Sequence, residues 1–165
     1  MLIRLARDDE LLAISDLQVR SRREAYRGFV PDDVLAISAE EWASKRRASV
    51  EDLGPGLRTW VAEREGVLVG FADTAPAHEK DLLERTGELK LLFVAPGEFG
   101  SGIGKALHDH AVQDLRSRGF EPIVLWTLEE NVRAQRFYER NGWSREEPTR
   151  PWWQGVAREV RYRLR

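Results

Sequence analysis

The chain has 165 residues, 42% hydrophobic and 33% charged, a balance ordinary for one soluble globular domain with a proper core. A formal net charge of −2 argues against nucleic-acid binding through bulk electrostatics, and the absence of cysteine removes disulfides, thiolate metal sites and acyl-cysteine chemistry. No apolar run approaches the ~18 residues of a membrane span and no signal peptide precedes Arg4 and Arg7, so a cytoplasmic protein without membrane contact is expected.

Residues 2–6 read as a short strand. Asp8 or Asp9 then offers an N-cap for a helix whose apolar positions include Leu11, Ile14 and Leu17. Gly28 and Pro31 interrupt it, and a second helical stretch covers roughly residues 32–37. Ser38 is a good N-cap for a third helix, with Glu41 as its capping-box partner. Residues 53–57, LGPGL, form a loop. Residues 59–63 and 67–75 form a hairpin that turns at Glu65 and Gly66. A polar connection over 76–85 leads to a strand over 88–94.

Beyond a glycine-rich turn, Ile103, Leu107, Ala111 and Leu115 recur every four residues, which predicts a helix over 103–118 closed by Gly119. Residues 123–127 are a continuous apolar strand, a pattern of burial on both faces. Asn131 can cap a helix that runs to Arg140 and ends at Gly142. Trp143 and the alternating tail 156–164 supply the last strands, with PTRPWWQG as a polar loop between them. The element order predicts an α/β or α+β layered domain with a mixed sheet over residues 1–165. Trp60, Trp126 and Trp143 fall in or beside strands and are expected in the core. The histidines suggest no metal site: His108 and His110 are two apart on a helix, and His78 stands alone.

The stretch around which this order is built is LLFVAPGEFGSGIGKAL, a strand, a glycine turn and a helix start. Glycines there tolerate positive φ, and the first amides of a helix lack internal partners and favour anions. A phosphate, and more specifically a pyrophosphate, is the natural ligand. Two common phosphate motifs fail. A P-loop needs glycine at 99 and Ser or Thr at 106, where Phe99 and Ala106 stand. The dinucleotide fingerprint needs glycine at 105 or 107, where Lys105 and Leu107 stand.

ELKLLFVAPGEFGSGIGKAL resembles the signature segment of the GNAT-type N-acetyltransferases, a strand, a pyrophosphate loop of pattern Gln/Arg-x-x-Gly-x-Gly/Ala, and a helix. Gly102 and Gly104 match its two small positions, while Phe99 stands where Gln or Arg is usual. LEENVRAQRFYERNGW resembles the family's following segment, with Asn131, Ala134, Phe137, Tyr138 and Gly142 in the expected places. The likeness is clearest over residues 88–143 and fainter upstream, through AYRGFVP and WVAEREGVLVGFA. It implies a mixed, mostly antiparallel sheet flanked by helices and splayed where acetyl-CoA enters.

The resemblance also implies roles. Backbone N–H groups near Leu92, Phe93 and Val94, where the family's strand bulges, would polarise the acetyl carbonyl. The amides of Gly100, Ser101, Gly102, Ile103 and Gly104 would hold the pyrophosphate, with Phe99 beside them and Lys105 as the nearest positive charge. Lys105 reads equally as a solvated lysine of the first turn. Asn131 either caps its helix or bonds the pantetheine arm, near Ala134.

Forming an amide needs a neutral amine, and deprotonating an amine of pKa ~10.4 at pH 7 costs roughly 4–5 kcal/mol. Glu88 is the candidate base, against the reading of a strand-edge carboxylate paired with Lys90 or Arg85. Tyr138 is the candidate donor to the departing sulfur. Tyr26 and Phe29 on one side, and Trp152 and Trp153 on the other, would wall the acceptor pocket, where aromatic faces suit a cationic amine. A homodimer contact fits the tryptophan pair equally well. The implied reaction is direct transfer of acetyl from acetyl-CoA to a primary amine in a ternary complex. The acceptor is left open between a small amine, an aminoglycoside, an amino acid and a protein N-terminus. A non-catalytic acyl-CoA-binding or sensing module is the alternative, and a longer acyl group a third reading.

Overall fold

The computed structural model describes residues 1–164. Along the chain run β1 (Leu2–Leu5), α1 (Leu11–Ala25), α2 (Asp32–Leu35), α3 (Ala39–Leu53), β2 (Arg58–Arg64), β3 (Val67–Pro76) and β4 (Gly87–Val94). They are followed by α4 (Ile103–Ser117), β5 (Ile123–Leu128), α5 (Val132–Arg140), β6 (Ser144–Trp152) and β7 (Ala157–Leu164). The strands form one seven-stranded sheet in the order β1-β2-β3-β4-β5-β7-β6. Each neighbouring pair is antiparallel except β4 and β5, which run parallel and are joined by the α4 crossover. The mixed, mostly antiparallel sheet flanked by helices is the expected architecture. No helix among the described residues is long and apolar enough to cross a membrane.

Local chemistry accounts for most boundaries. At the start of α3, Ser38 Oγ accepts from the Glu41 amide at 3.2 Å, and the Glu41 carboxylate accepts from the Ser38 amide at 3.0 Å. Asn131 Oδ1 accepts from the Ala134 amide at 3.2 Å and so caps α5. The β2–β3 turn places Glu65 and Gly66 at φ of 52° and 79°, the two positive values that a tight hairpin requires. Neither Asp8 nor Asp9 caps α1, contrary to expectation. A short 3-10 turn over Asp8–Glu10 precedes the helix, and Glu10 is drawn back onto Arg4 and the Arg7 amide.

The sequence PTRPW is strand rather than loop: Pro148 and Pro151 lie within β6. They are tolerated because β6 is the sheet's edge, where a missing N–H faces no partner.

Two layers of helix cover the sheet. On one face Ile103, Leu107, Ala111 and Leu115 of α4 pack on Ala62, Val69, Ala72 and Leu89, in a cluster that also takes in Tyr138, Trp143 and Tyr162. On the other, Ile14 and Leu17 of α1 pack on Val61, Phe71 and Phe93. Each such apolar side chain stabilises by about 1.5–3 kcal/mol when fully buried. Gly70 lets α4 approach: a Cβ there would sit 2.8 Å from Leu107 Cδ1 and 3.0 Å from the Phe93 carbonyl oxygen.

A buried ion pair fixes α3 to the sheet. Arg46 donates to both oxygens of Asp73 at 2.9 Å, and Thr59 Oγ1 donates to Asp73 Oδ1 at 2.7 Å. Removing one partner strands the other charge in a medium that solvates it poorly. Asp73→Ala is therefore expected to destabilise the fold by about 3–5 kcal/mol in urea titrations, while the apolar pair Arg46→Met with Asp73→Leu recovers most of that loss. Equal stability of Asp73→Ala and the unmodified protein would contradict this account.

Candidate active site

β4 and β5 pair at only two positions, Gly87 with Ile123 and Glu88 with Val124. From Leu89 onward the edge of β4 that faces β5 has no strand partner among the described residues. A cleft of about 490 Å³ opens there, lined by Leu92, Phe93 and Val94 along β4 and by residues of α1, α4, α5 and β7. The bulge in β4 lies at Lys90, because Leu89 pairs with Thr74 and Leu91 with Asp73. It was expected further along, at Leu92 to Val94. The irregularity falls where β4 leaves β5 and so turns the free edge toward the gap.

At the end of β4 the chain enters the glycine turn. Gly100 and Gly102 take φ of 82° and 89°, values that only glycine adopts easily. Gly102 is the N-cap of α4 and provides no side-chain acceptor, so the first amides of α4 are left for a ligand. Gly100, Gly102, Gly104 and Lys105 line the cleft, whereas Ser101 and Ile103 do not. Ser101 Oγ donates to the Glu98 carbonyl at 2.6 Å, and the Ile103 side chain is buried in the core under α4. Lys105 pairs with Asp109 one turn on, so its charge is shared. Phe99 lines the cleft, and the Arg133 guanidinium lies 4.0 Å above its ring. Arg133, from α5, lines the same cleft.

Tyr138 and Ala134, on the inner face of α5, also line the cleft. Burial pushes the Tyr138 phenol far above its ordinary pKa, with the Tyr26 phenol nearby adding to the shift. Asn131 reaches the cleft as well as capping α5, since the cap uses only the oxygen of its amide. Glu88 does not line the cleft. Its carboxylate is buried and accepts from Lys90 Nζ at 3.1 Å, and it is Lys90 that reaches the opening. Burial raises the Glu88 pKa, opposed mainly by Lys90.

The opposite wall carries the aromatic residues. Tyr26, Trp152 and Trp153 line it together with Trp42. Phe29 does not: it turns away beyond Tyr26 into a cluster with Val30, Val34, Leu128 and Ala157. The Tyr26 phenol is pushed up to about 12 by burial and by Glu159, against the pull of Arg22. Trp126 is half-buried on the cleft wall rather than in the core, and its indole N–H donates to Glu79 at 2.8 Å. Trp143 is a core residue, and its N–H donates to His108 Nε2 at 2.8 Å.

Among the cleft residues that escaped sequence reasoning are Arg22, Trp42, Arg133 and Glu159. Arg133 carries the one signal available beforehand, since it lies within the motif that contains Asn131, Ala134 and Tyr138. The other three come from segments distant in sequence, and only the topology brings them together.

The model of the acetyltransferase (GNAT) family matches residues 16–143. Over 140 residues the chain is 34% identical to a mycothiol acetyltransferase of Frankia alni, spanning 80% of this chain and 38% of that protein. It is 32% identical over 141 residues to a mycothiol acetyltransferase of Amycolatopsis mediterranei, spanning 74% of this chain and 47% of that one. The chain therefore spans less than half the length of these curated relatives. A PaiA N-acetyltransferase of Thermoplasma acidophilum, solved with coenzyme A, shares the fold with a TM-score of 0.72 at 19% identity, over 98% of both chains. A ribosomal-protein-alanine N-acetyltransferase of Brucella melitensis does so with a TM-score of 0.74 at 20% identity, over 99% of this chain and 98% of that one. The chain belongs to the GNAT acetyltransferase family.

Proposed function

We propose that the chain is an acyltransferase that moves an acetyl group from acetyl-CoA to a primary amine, by direct attack in a ternary complex. One observation carries this reading: uncapped helix amides, an unpaired strand edge and a buried phenol all face one cleft. The curated relatives are named as acetyltransferases, and two of the solved structures that share the fold contain coenzyme A or acetyl-CoA.

Acetyl-CoA supplies an activated thioester, so that attack by the amine forms a C–N bond as the C–S bond breaks. The residues fit that group. The amides at the start of α4 hold the pyrophosphate, and the Asn131 amide N–H group and the free edge of β4 receive the pantetheine arm. Arg133 supplies the side-chain N–H donors that a Gln or Arg at position 99 would otherwise give, and Phe99 is its platform. Tyr138 stays protonated at neutral pH because burial disfavours its phenolate, and it donates toward the departing sulfur. Glu88 takes the amine proton. It lies behind Lys90, so the proton crosses by water rather than by direct contact. Its raised pKa makes it a stronger base than an exposed glutamate. The acceptor class is a small-molecule amine or a protein N-terminus.

Coenzyme A release with a panel of amines tests the reading. Acetyl-CoA at ~100 times its Kd should also stabilise the fold by roughly 2.7 kcal/mol. Tight binding with no thiol release for any amine would contradict transfer. Tyr138→Phe should lower kcat by about 10²–10⁴ while leaving the Kd for acetyl-CoA nearly unchanged.

The base must be ionised to act, so activity falls as pH drops through the pKa of Glu88. Because that pKa is raised, the acidic limb should lie above the ordinary carboxylate value of ~4.3, and Glu88→Gln should lower kcat and abolish the limb. A limb that survives in Glu88→Gln removes Glu88 from the mechanism.

Arg133→Ala should weaken acetyl-CoA binding by about 10- to 150-fold, the range of a charge-assisted hydrogen bond, and flatten its salt dependence. Phe99→Ala should weaken it less, by unseating Arg133. Calorimetric titrations that find both variants unchanged would refute the platform.

A further inference from the structure

Among the described residues three arginines are buried, and two of them rest on carboxylates: Arg46 on Asp73, and Arg161 on Asp81 and Glu146. The third, Arg22, is 4% exposed and has no such partner. Its Nη2 is buried without a hydrogen-bond acceptor, and no carboxylate among the described residues offsets the burial that lowers its pKa. Its guanidinium sits among four rings, 4.3 Å from the centroid of Trp42, 5.2 Å from Trp152, 5.6 Å from Trp153 and 5.7 Å from Tyr26. Ring faces position a cation without neutralising it, so the desolvated charge stays uncompensated.

Arg22 also lines the cleft into which Tyr138 and the free edge of β4 face. Lys45 Nζ, 5.5 Å from the centre of Trp153, adds a second positive charge behind the same aromatic wall. The aromatic wall thus already holds a cation of the protein's own. The expectation that it receives the acceptor's ammonium group is reversed, because like charges would meet there. A planar guanidinium with unused donors matches a carboxylate, which it can bind through two parallel hydrogen bonds. Glu159 also lines the cleft beyond Tyr26, but Arg150 Nε holds its carboxylate at 2.6 Å, so it does not offset Arg22.

We propose that the acceptor is an amino acid or a similarly small amine that carries a carboxylate, and that Arg22 binds this carboxylate. The inference rests on the acetyl-transfer reading and narrows its acceptor.

The tryptophans around Arg22 give a readout that does not need turnover. Protein saturated with coenzyme A is titrated with free amino acids and with their C-terminal amides while tryptophan fluorescence is followed. At least one amino acid should bind about 10- to 150-fold more tightly than its amide, the contribution of one charge-assisted hydrogen bond. Arg22→Met should lose that preference and Arg22→Lys should keep part of it, with unchanged thermal stabilisation by acetyl-CoA showing that each variant is folded.

Amides that bind as well as the acids, an absence of binding by any acid, or a preference that survives in Arg22→Met would each overturn the proposal. The acid-against-amide comparison in the unmodified protein decides the matter even if a variant fails to fold. Coenzyme A release to neutral amines without acid preference overturns the role of Arg22 and leaves acetyl transfer standing. Acid-selective binding without release supports that role and removes the transfer reading.

Discussion

The parting of β4 from β5 is the constraint on which the rest of the site depends. Two parallel strands held by only two register pairs leave a length of backbone whose donors and acceptors need partners. Their connections lead into α4 and α5, whose N-termini stand at the carboxyl ends of both strands. Open α/β sheets bind ligands at such a point, because helix dipoles and free amides converge there. The bulge at Lys90, the glycines with positive φ and the cap at Asn131 all lie along this opening.

A second feature concerns how positive charge is kept available in a chain whose formal net charge is −2. Arg46 and Arg161 are neutralised by carboxylates and serve the fold. Arg22 and Arg133 are held on aromatic faces, on Trp42 and its neighbours in one case and on Phe99 in the other. A ring orients a guanidinium while leaving its N–H groups unpaired. Cations held in this way stand at two places in the cleft, beside the glycine turn and on the aromatic wall. Tyr138 lines the same cleft and Glu88 is buried behind Lys90, both with pKa values raised by burial. Arg150 shows the contrast: it stacks on Trp126 but donates to Glu159 and Glu79, and its charge is used within the protein.

Much of this was legible in the sequence wherever the physics is local. The capping box of Ser38 and Glu41, the turn at Glu65 and Gly66, the cap at Asn131 and the four-residue periodicity of α4 all depend on near neighbours. The glycine turn and the segment holding Tyr138 were legible through their likeness to family motifs. What was not legible depends on distant segments meeting. Pro148 and Pro151 read as loop because their tolerance depends on β6 being an edge strand. Phe29 does pack beside Tyr26, with ring centres 5.7 Å apart, but it faces the cluster of Val30, Val34, Leu128 and Ala157 and does not line the cleft. Phe99 looked like a lost phosphate contact because the Arg133 guanidinium, which comes from α5, meets its ring only in the fold. Arg22, seated on the aromatic wall, had no motif to announce it.

The central claim is that this single opening holds the nucleotide end of acetyl-CoA at the start of α4 and the acceptor at Arg22. A crystal structure of the protein with coenzyme A and an accepted amino acid tests it most directly. The account predicts the pyrophosphate on the amides between Gly100 and Gly104 with Arg133 beside it, the sulfur near the Tyr138 hydroxyl, and the carboxylate on Arg22. A pyrophosphate bound away from the glycine turn, or a carboxylate bound elsewhere with Arg22 still enclosed only by its rings, would contradict it.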